Sequence, residues 1–150
     1  VHVVSPMAGI VRDLSEVPDV VFSAEMVGPG LALDPGDGDV AGLCAPMDGR
    51  IGALFPHAVT IEAADGRTIL VHLGIDTVEL AGAGFDVHVA GGQLVSAGDL
   101  LITWSPAGVL ATGRSAVCPV VALQADPGAL TPLATVGEPV ALGAPFFDWV

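Results

Sequence analysis

Positive charge is what this chain has least of: four Lys plus Arg residues stand against 17 Asp plus Glu, a formal net charge of −13. That balance makes nucleic acid and anionic membrane surfaces poor partners and favours a basic protein partner drawn in by the same field. The plainer alternative is that acidity only keeps an apolar chain soluble. Cysteine is also scarce. Cys44 and Cys118 lie far apart, in the apolar settings Gly-Leu-Cys-Ala-Pro and Ala-Val-Cys-Pro-Val, with no C-x-x-C between them. Two such residues are too few for a disulfide scaffold, so they read as buried free thiols in a reducing cytoplasm. Long apolar runs are missing as well. Hydrophobic residues make up 52% of the chain, yet no run reaches the roughly 18 to 20 residues of a membrane-spanning helix. No basic segment followed by an apolar one opens the chain, so no secretory leader is read. Val1 in place of a start methionine points to a processed or excised chain.

Glycine and proline are plentiful, 20 and 12 residues, and they punctuate the chain roughly every eight to twelve positions, the spacing of short strands and turns. Between them lie short runs rich in Val, Ile, Leu and Thr: Ala53 to Phe55, Ala58 to Glu62, Thr68 to Leu73, Leu100 to Trp104 and Val117 to Leu123. No window sustains a 3.6-residue apolar period, so helices are expected only as short connectors, for example around Asp126 to Leu130. The expected fold is an all-β antiparallel sandwich. At 150 residues, with no linker or charge run to divide it, the chain is expected to form one domain over residues 1–150.

The chain echoes itself. Ser5-Pro6-Met7-Ala8-Gly9-Ile10-Val11 is matched by Ala45-Pro46-Met47-Asp48-Gly49-Arg50-Ile51, and Val95-Ser96-Ala97-Gly98-Asp99-Leu100 by Val136-Gly137-Glu138-Pro139-Val140. The first pair is similar to the strand-turn-strand signature of biotinyl and lipoyl carrier modules, but no lysine follows either Met, which excludes cofactor attachment there. What remains is structural: two related half-sandwiches, each opening with a P-M-x-G hairpin.

Histidine carries the chemistry. His2 is near the terminus and His88 reads as an exposed strand residue. His72 sits inside the apolar run Ile69-Leu70-Val71-His72-Leu73, followed at once by Gly74-Ile75-Asp76. Because strand side chains alternate, Val71 and Leu73 in the core would place Leu70 and His72 on the other face, an open surface where a purely structural imidazole has little to bond. His57 opens a second strand-like run, Pro56 to Glu62, and two histidines on neighbouring strands can share one shallow site. Two chemistries fit. One ring can accept a phosphoryl group while the other donates N–H to its oxygens, or both can bind zinc if a third ligand is supplied. The bland alternative is a core histidine bonded to a backbone carbonyl.

In Ser5-Pro6-Met7-Ala8-Gly9, Val17-Pro18-Asp19-Val20-Val21-Phe22, Met26-Val27-Gly28-Pro29-Gly30, Ala45-Pro46-Met47-Asp48-Gly49, Val71-His72-Leu73-Gly74-Ile75-Asp76-Thr77-Val78-Glu79-Leu80 and Cys118-Pro119-Val120-Val121, the chain resembles the glucose-family enzyme IIA proteins of the bacterial phosphoenolpyruvate-dependent sugar phosphotransferase system. The resemblance implies a cytoplasmic phosphocarrier. His72 would take the phosphoryl group on Nε2 from phosphorylated HPr and pass it to a IIB domain of a sugar permease, with His57 supporting the group in transit. It also implies that the Gly74 carbonyl holds the other ring nitrogen of His72. Asp19 and Asp76 would pair with arginines of partner proteins. Val20, Val21, Phe22, Met26, Val27, Phe55, Leu70 and Val78 would form an apolar docking collar, which regulated metabolic or transport proteins could also use. No cofactor is required, and no membrane insertion is implied.

The chain departs from the family pattern in places. Leu70 and Val59 stand where phenylalanine is common, Ala81 and Ala83 replace charged residues, and Phe55-Pro56-His57 lacks a threonine that would orient His57. The basic amphipathic tail that precedes the domain in some members is not present in the sequence. The alternative from another class is a zinc hydrolase of the lysostaphin type, since His72 to Asp76 reads H-x-x-x-D. Such an enzyme needs a further H-x-H, and only His88 lies beyond Asp76.

Overall fold

Frequent glycine and proline cut the chain into fourteen strands, none longer than seven residues, in a computed structural model that describes residues 1–150. They are β1 (His2–Val4), β2 (Gly9–Asp13), β3 (Gly30–Asp34), β4 (Ala41–Cys44), β5 (Gly49–Phe55), β6 (Ala58–Glu62), β7 (Thr68–His72), β8 (Phe85–Val87), β9 (Leu94–Val95), β10 (Leu100–Trp104), β11 (Cys118–Ala122), β12 (Leu130–Pro132), β13 (Pro139–Val140) and β14 (Pro145–Trp149). Every pairing is antiparallel. The main sheet has the order β13-β2-β3-β11-β7-β6-β5-β9, and two three-stranded sheets, β1-β14-β12 and β4-β10-β8, accompany it. One apolar core draws side chains from all three: Val71 and Val120 from the main sheet, Phe146 and Phe147 from the first small sheet, Leu43 and Ile102 from the second. The architecture is the expected antiparallel β-sandwich.

Helix is confined to connectors. Helix α1 (Val20–Ser23) follows Asp19, whose carboxylate accepts from the Val21 N–H; α2 (Pro106–Ala111) follows Ser105, with Pro106 preset for a first turn. The connector expected around Asp126 to Leu130 is a 3-10 turn at Pro127–Ala129.

The internal repeat is written in reciprocal backbone bonds. The Val4 N–H donates to the Pro46 carbonyl and the Cys44 N–H to the Pro6 carbonyl, both at 2.9 Å, so each P-M-x-G hairpin closes on the other. Met7 and Met47 are both buried beneath them. The second echo, however, is out of register in the sequence reading. Val11 exchanges bonds with Gly137 and Glu138 as Ile51 does with Gly92 and Gln93, and Ser5 with Gly143 and Ala144 as Ala45 does with Gly98 and Asp99. Val140-Ala141-Leu142-Gly143 is therefore the counterpart of Val95-Ser96-Ala97-Gly98. The bonded register pairs Gly98 with Gly143 and Val95 with Val140, whereas the sequence match pairs Val95 with Val136.

Strand β7 obeys the expected alternation. Ile69 and Val71 are fully buried, and Thr68, Leu70 and His72 are half-buried on the opposite face. A one-residue slip would turn Ile69, Val71 and Leu73 outward at about 1.5–3 kcal/mol each, which fixes His72 on the far side. That far side is not open. Leu14, Val17, Phe22, Ala32, Ile75 and Val121 form a second small cluster there, with Leu70 and Val27 packed against it. Helix α1 brings Phe22 into that cluster, so the outer face of the sheet is roofed up to the edge of His72.

Candidate functional site

His72 is the last residue of β7, and the turn after it determines how its ring is held. The His72 Nδ1 lies 2.6 Å from the Gly74 carbonyl oxygen. A carbonyl can only accept, so Nδ1 carries the proton, and in the neutral ring Nε2 is left with its lone pair. Gly74 can present its carbonyl this way because its φ is +75°, a conformation in which a side chain is strained. There is also no room for one: a Cβ would meet Thr77 Cγ2 at 2.8 Å and the Ser115 carbonyl oxygen at 2.9 Å. The turn is pinned at several further points. The Leu73 N–H donates to the His57 carbonyl at 2.7 Å, the Ile75 N–H to the Ser115 carbonyl at 3.0 Å, and the Thr77 hydroxyl to the Leu73 carbonyl at 2.8 Å.

His57 does not open a strand as its sequence suggests. Pro56 and His57 form the two-residue turn between β5 and β6, whose closing pair is Phe55 with Ala58. Because Ala58 pairs with His72 on β7, the turn hangs over the end of that strand. The two imidazole centroids are 5.1 Å apart and nearly edge to face. Phe22 packs against His72 with centroids 5.4 Å apart and Phe55 against His57 at 5.8 Å, both pairs tilted. No side chain hydrogen-bonds the His57 ring. Thr60, the nearest threonine in sequence, spends its hydroxyl on the Ala53 N–H at 2.8 Å. Aromatic contact does the orienting here.

Burial pushes His72 below the usual imidazole range, opposed by its bond to Gly74 and by the carboxylates of Asp19 and Asp76. His57 is pushed down as well, by burial first and by His72 second. Both rings are thus neutral at pH 7. The site pairs a tautomer-locked imidazole with a bare nitrogen and a second imidazole one ring away, which suits attack on an electrophile such as phosphorus.

Around the rings the structure sorts the expected collar. Val20, Val21, Met26, Phe55 and Val78 are exposed, and Val27, Leu70 and Asp19 are half-buried. Asp76 is exposed at the start of the 3-10 turn Thr77–Leu80. Phe22, expected on the docking face, is only 6% exposed and serves as a wall of the His72 pocket. Val59 is buried in the main core on the other side of the sheet, so its replacement of phenylalanine does not touch the collar. His2 and His88 lie elsewhere: His2 pairs with Asp148 at 2.7 Å and His88 with Thr103 at 2.7 Å. Sequence reading missed the 112–117 segment, whose Ser115 carbonyl and Arg114 guanidinium hold the turn after His72. No spacing or motif links it to that turn.

Zinc fares poorly. His57 and His72 offer two ligands, and no group of three His, Cys, Asp or Glu is arranged to hold a metal, whereas protein zinc sites use three or four. The H-x-x-x-D spacing ends on Asp76, in a left-handed turn with φ +58°.

The family described as phosphoenolpyruvate-dependent sugar phosphotransferase system, EIIA 1, matches residues 1–127. Glucose-specific EIIA components of the phosphotransferase system from Bacillus cereus and Bacillus anthracis are each 41% identical over 126 residues, covering 83% of this chain and 74% of theirs. The glucose permease IIA from Mycoplasma capricolum shares the fold with a TM-score of 0.86 at 34% identity, across 98% of this chain and 94% of that one.

Proposed function

The chain belongs to the glucose-type EIIA 1 family of the phosphoenolpyruvate-dependent sugar phosphotransferase system, and we propose that it is a phosphocarrier in sugar uptake that accepts on Nε2 of His72. The observation that carries this reading is the 2.6 Å bond between His72 Nδ1 and the Gly74 carbonyl, which commits one nitrogen and leaves the other nucleophilic.

In the forward step the Nε2 lone pair attacks the phosphorus of phospho-HPr. An N–P bond forms on His72 as the N–P bond on HPr breaks, and the HPr imidazole leaves with the electron pair. The second step runs the same exchange towards a nucleophile of a IIB domain. Nδ1–H stays on Gly74 throughout and holds the ring while it carries charge. His57, in contact with His72, donates N–H to the phosphoryl oxygens. The exposed apolar side chains around the rings exclude water when a partner docks, so the phosphoryl group reaches the acceptor rather than hydrolysing. Asp19 and Asp76 receive basic side chains of the partner. No helix is long and apolar enough to cross a membrane, which fits work in the cytoplasm beside a membrane-bound permease.

Incubation with phosphoenolpyruvate, enzyme I and HPr should add one acid-labile phosphate per chain. His72→Gln should take none. His57→Gln should still accept from HPr but pass the group to IIB more slowly, by the roughly 10²- to 10³-fold seen when one preorganised donor is lost. A full phosphate on His72→Gln would overturn the assignment, and unchanged rates in both directions for His57→Gln would leave His57 a structural residue.

A further inference from the structure

Arg114 is the one basic side chain bonded to the turn that carries the acceptor. Its Nε donates to the Asp76 carbonyl at 3.2 Å, and its Nη2 lies 3.5 Å from the Glu79 carboxylate. Arg50 and Arg67 are committed elsewhere, to the Gly92 carbonyl and to Asp65 with the Trp149 carbonyl. We propose that Arg114 is a positioning residue for phosphoryl transfer, clamping the Asp76 turn so that the Gly74 carbonyl stays on His72 Nδ1. The inference rests on the phosphocarrier reading of His72.

The clamp answers a local need. Asp76 sits at φ +58° and ψ +20°, and its own side chain makes no capping bond. Aspartate enters that left-handed region more readily than most side chains, but the conformation is held best where neighbours bond the turn. Two adjacent residues supply that hold from outside the turn. The Ser115 carbonyl takes the Ile75 N–H, and the Arg114 side chain takes the Asp76 carbonyl while reaching on to Glu79. The Gly74 carbonyl and the Ile75 N–H belong to one peptide plane, so with Asp76 released only the Ser115 bond to that N–H still resists rotation of the plane away from the imidazole. On such rotation the ring would lose its tautomer lock, and Nε2 would be protonated part of the time.

The guanidinium acts through the backbone rather than on the ring. Its bonds run to the Asp76 carbonyl and the Glu79 carboxylate, and none runs to the imidazole. Nor does docking explain an arginine here. In a strongly acidic chain that attracts a basic partner, a cation near the docking face slows capture, so neutralising it would speed association at low salt. Positioning makes the opposite prediction for the chemical step.

The test compares the full chain with Arg114→Gln and Arg114→Lys, using long-range proton–nitrogen NMR of the His72 ring and single-turnover phosphorylation at saturating phospho-HPr. Arg114→Gln is expected to lower the Nδ1–H tautomer fraction of His72 and to slow the chemical step by roughly 10- to 100-fold, the upper figure being what a 1 Å misplacement of a reacting group costs. Arg114→Lys keeps a cation and a donor for the Asp76 carbonyl, and should recover most of both. A wild-type tautomer ratio in Arg114→Gln overturns the proposal whatever its rate. If the glutamine variant does not fold, Glu79→Gln takes its place by unhooking the far end of the guanidinium at an exposed carboxylate. The same tautomer shift in smaller size is then expected, and no shift overturns the proposal. If the wild-type chain takes no phosphate from HPr, the phosphocarrier reading fails, while the tautomer ratio still decides the role of Arg114.

Discussion

His57 and His72 are held neutral by the same fold that brings them together. Burial comes first for both, and for His57 the neighbouring ring adds to it. Each ring therefore has a folded-state pKa below the reference of 6.5, and the unfolded chain binds more protons as the pH falls through that value. The two rings cost nothing above about pH 7, and stability is lost as the pH drops through 6.5 towards the lowered folded-state values. Urea midpoints measured across that window should fall towards acid in the wild type and fall less in the His57→Gln, His72→Gln double variant. Equal acid slopes in the two proteins would show that neither ring is depressed. At this scale the sequence said much about His72, because strand alternation and an apolar setting isolate it. It said less about His57, whose run Pro56 to Glu62 reads as continuous strand although the first two residues form the turn. Phe22 was misplaced for a related reason: a phenylalanine beside two exposed valines looks like part of a docking patch until the short helix rotates it inward.

Among the elements, the decisive one is the turn from β7 into the 3-10 segment Thr77–Leu80. Gly74→Ala forces a Cβ into a left-handed position against Thr77 and the Ser115 carbonyl, whereas Gly36→Ala meets the same backbone constraint at φ +79° with nothing within 4 Å. Gly36→Ala should cost about 1 kcal/mol from backbone strain alone. Gly74→Ala should cost clearly more, about 2–4 kcal/mol once steric displacement is added, and should also slow phosphorylation of His72. Denaturant unfolding of the pair checks this, and equal losses would remove the steric part of the argument. Leu100 to Trp104 was legible as a strand to its observed limits, since β-branched and aliphatic residues bounded by turn signals leave little choice. The segment Val20-Val21-Phe22-Ser23 was not legible as a helix. Its residues favour strand, and only the Asp19 cap with burial of Phe22 tips four residues into a helical turn. That roof over the sheet face is why His72 is half-buried rather than standing on the open surface the alternation suggested.

For the molecule as a whole, the proposed docking of a partner predicts that the charge of −13 and the ring of exposed apolar side chains act at different stages. Val20→Ala, at a residue 66% exposed beside the site, should mainly speed dissociation of HPr. Asp76→Asn leaves the backbone content, because asparagine tolerates the left-handed region. It should weaken capture, with the loss shrinking as salt rises. Titration at low and high ionic strength separates the two, and an Asp76→Asn chain with unchanged low-salt affinity would remove the electrostatic half. The duplicated sandwich was legible at this scale from the P-M-x-G repeat, but its second half needed the backbone bonds to set the register. The central claim is that the fold ties up Nδ1 of His72 and leaves Nε2 to accept. Nitrogen-15 and phosphorus-31 NMR of the chain phosphorylated through HPr tests it most directly. The account predicts one phosphoramidate, on Nε2 of His72, with Nδ1 still protonated. Phosphate on Nδ1 of His72, or on His57, would contradict it.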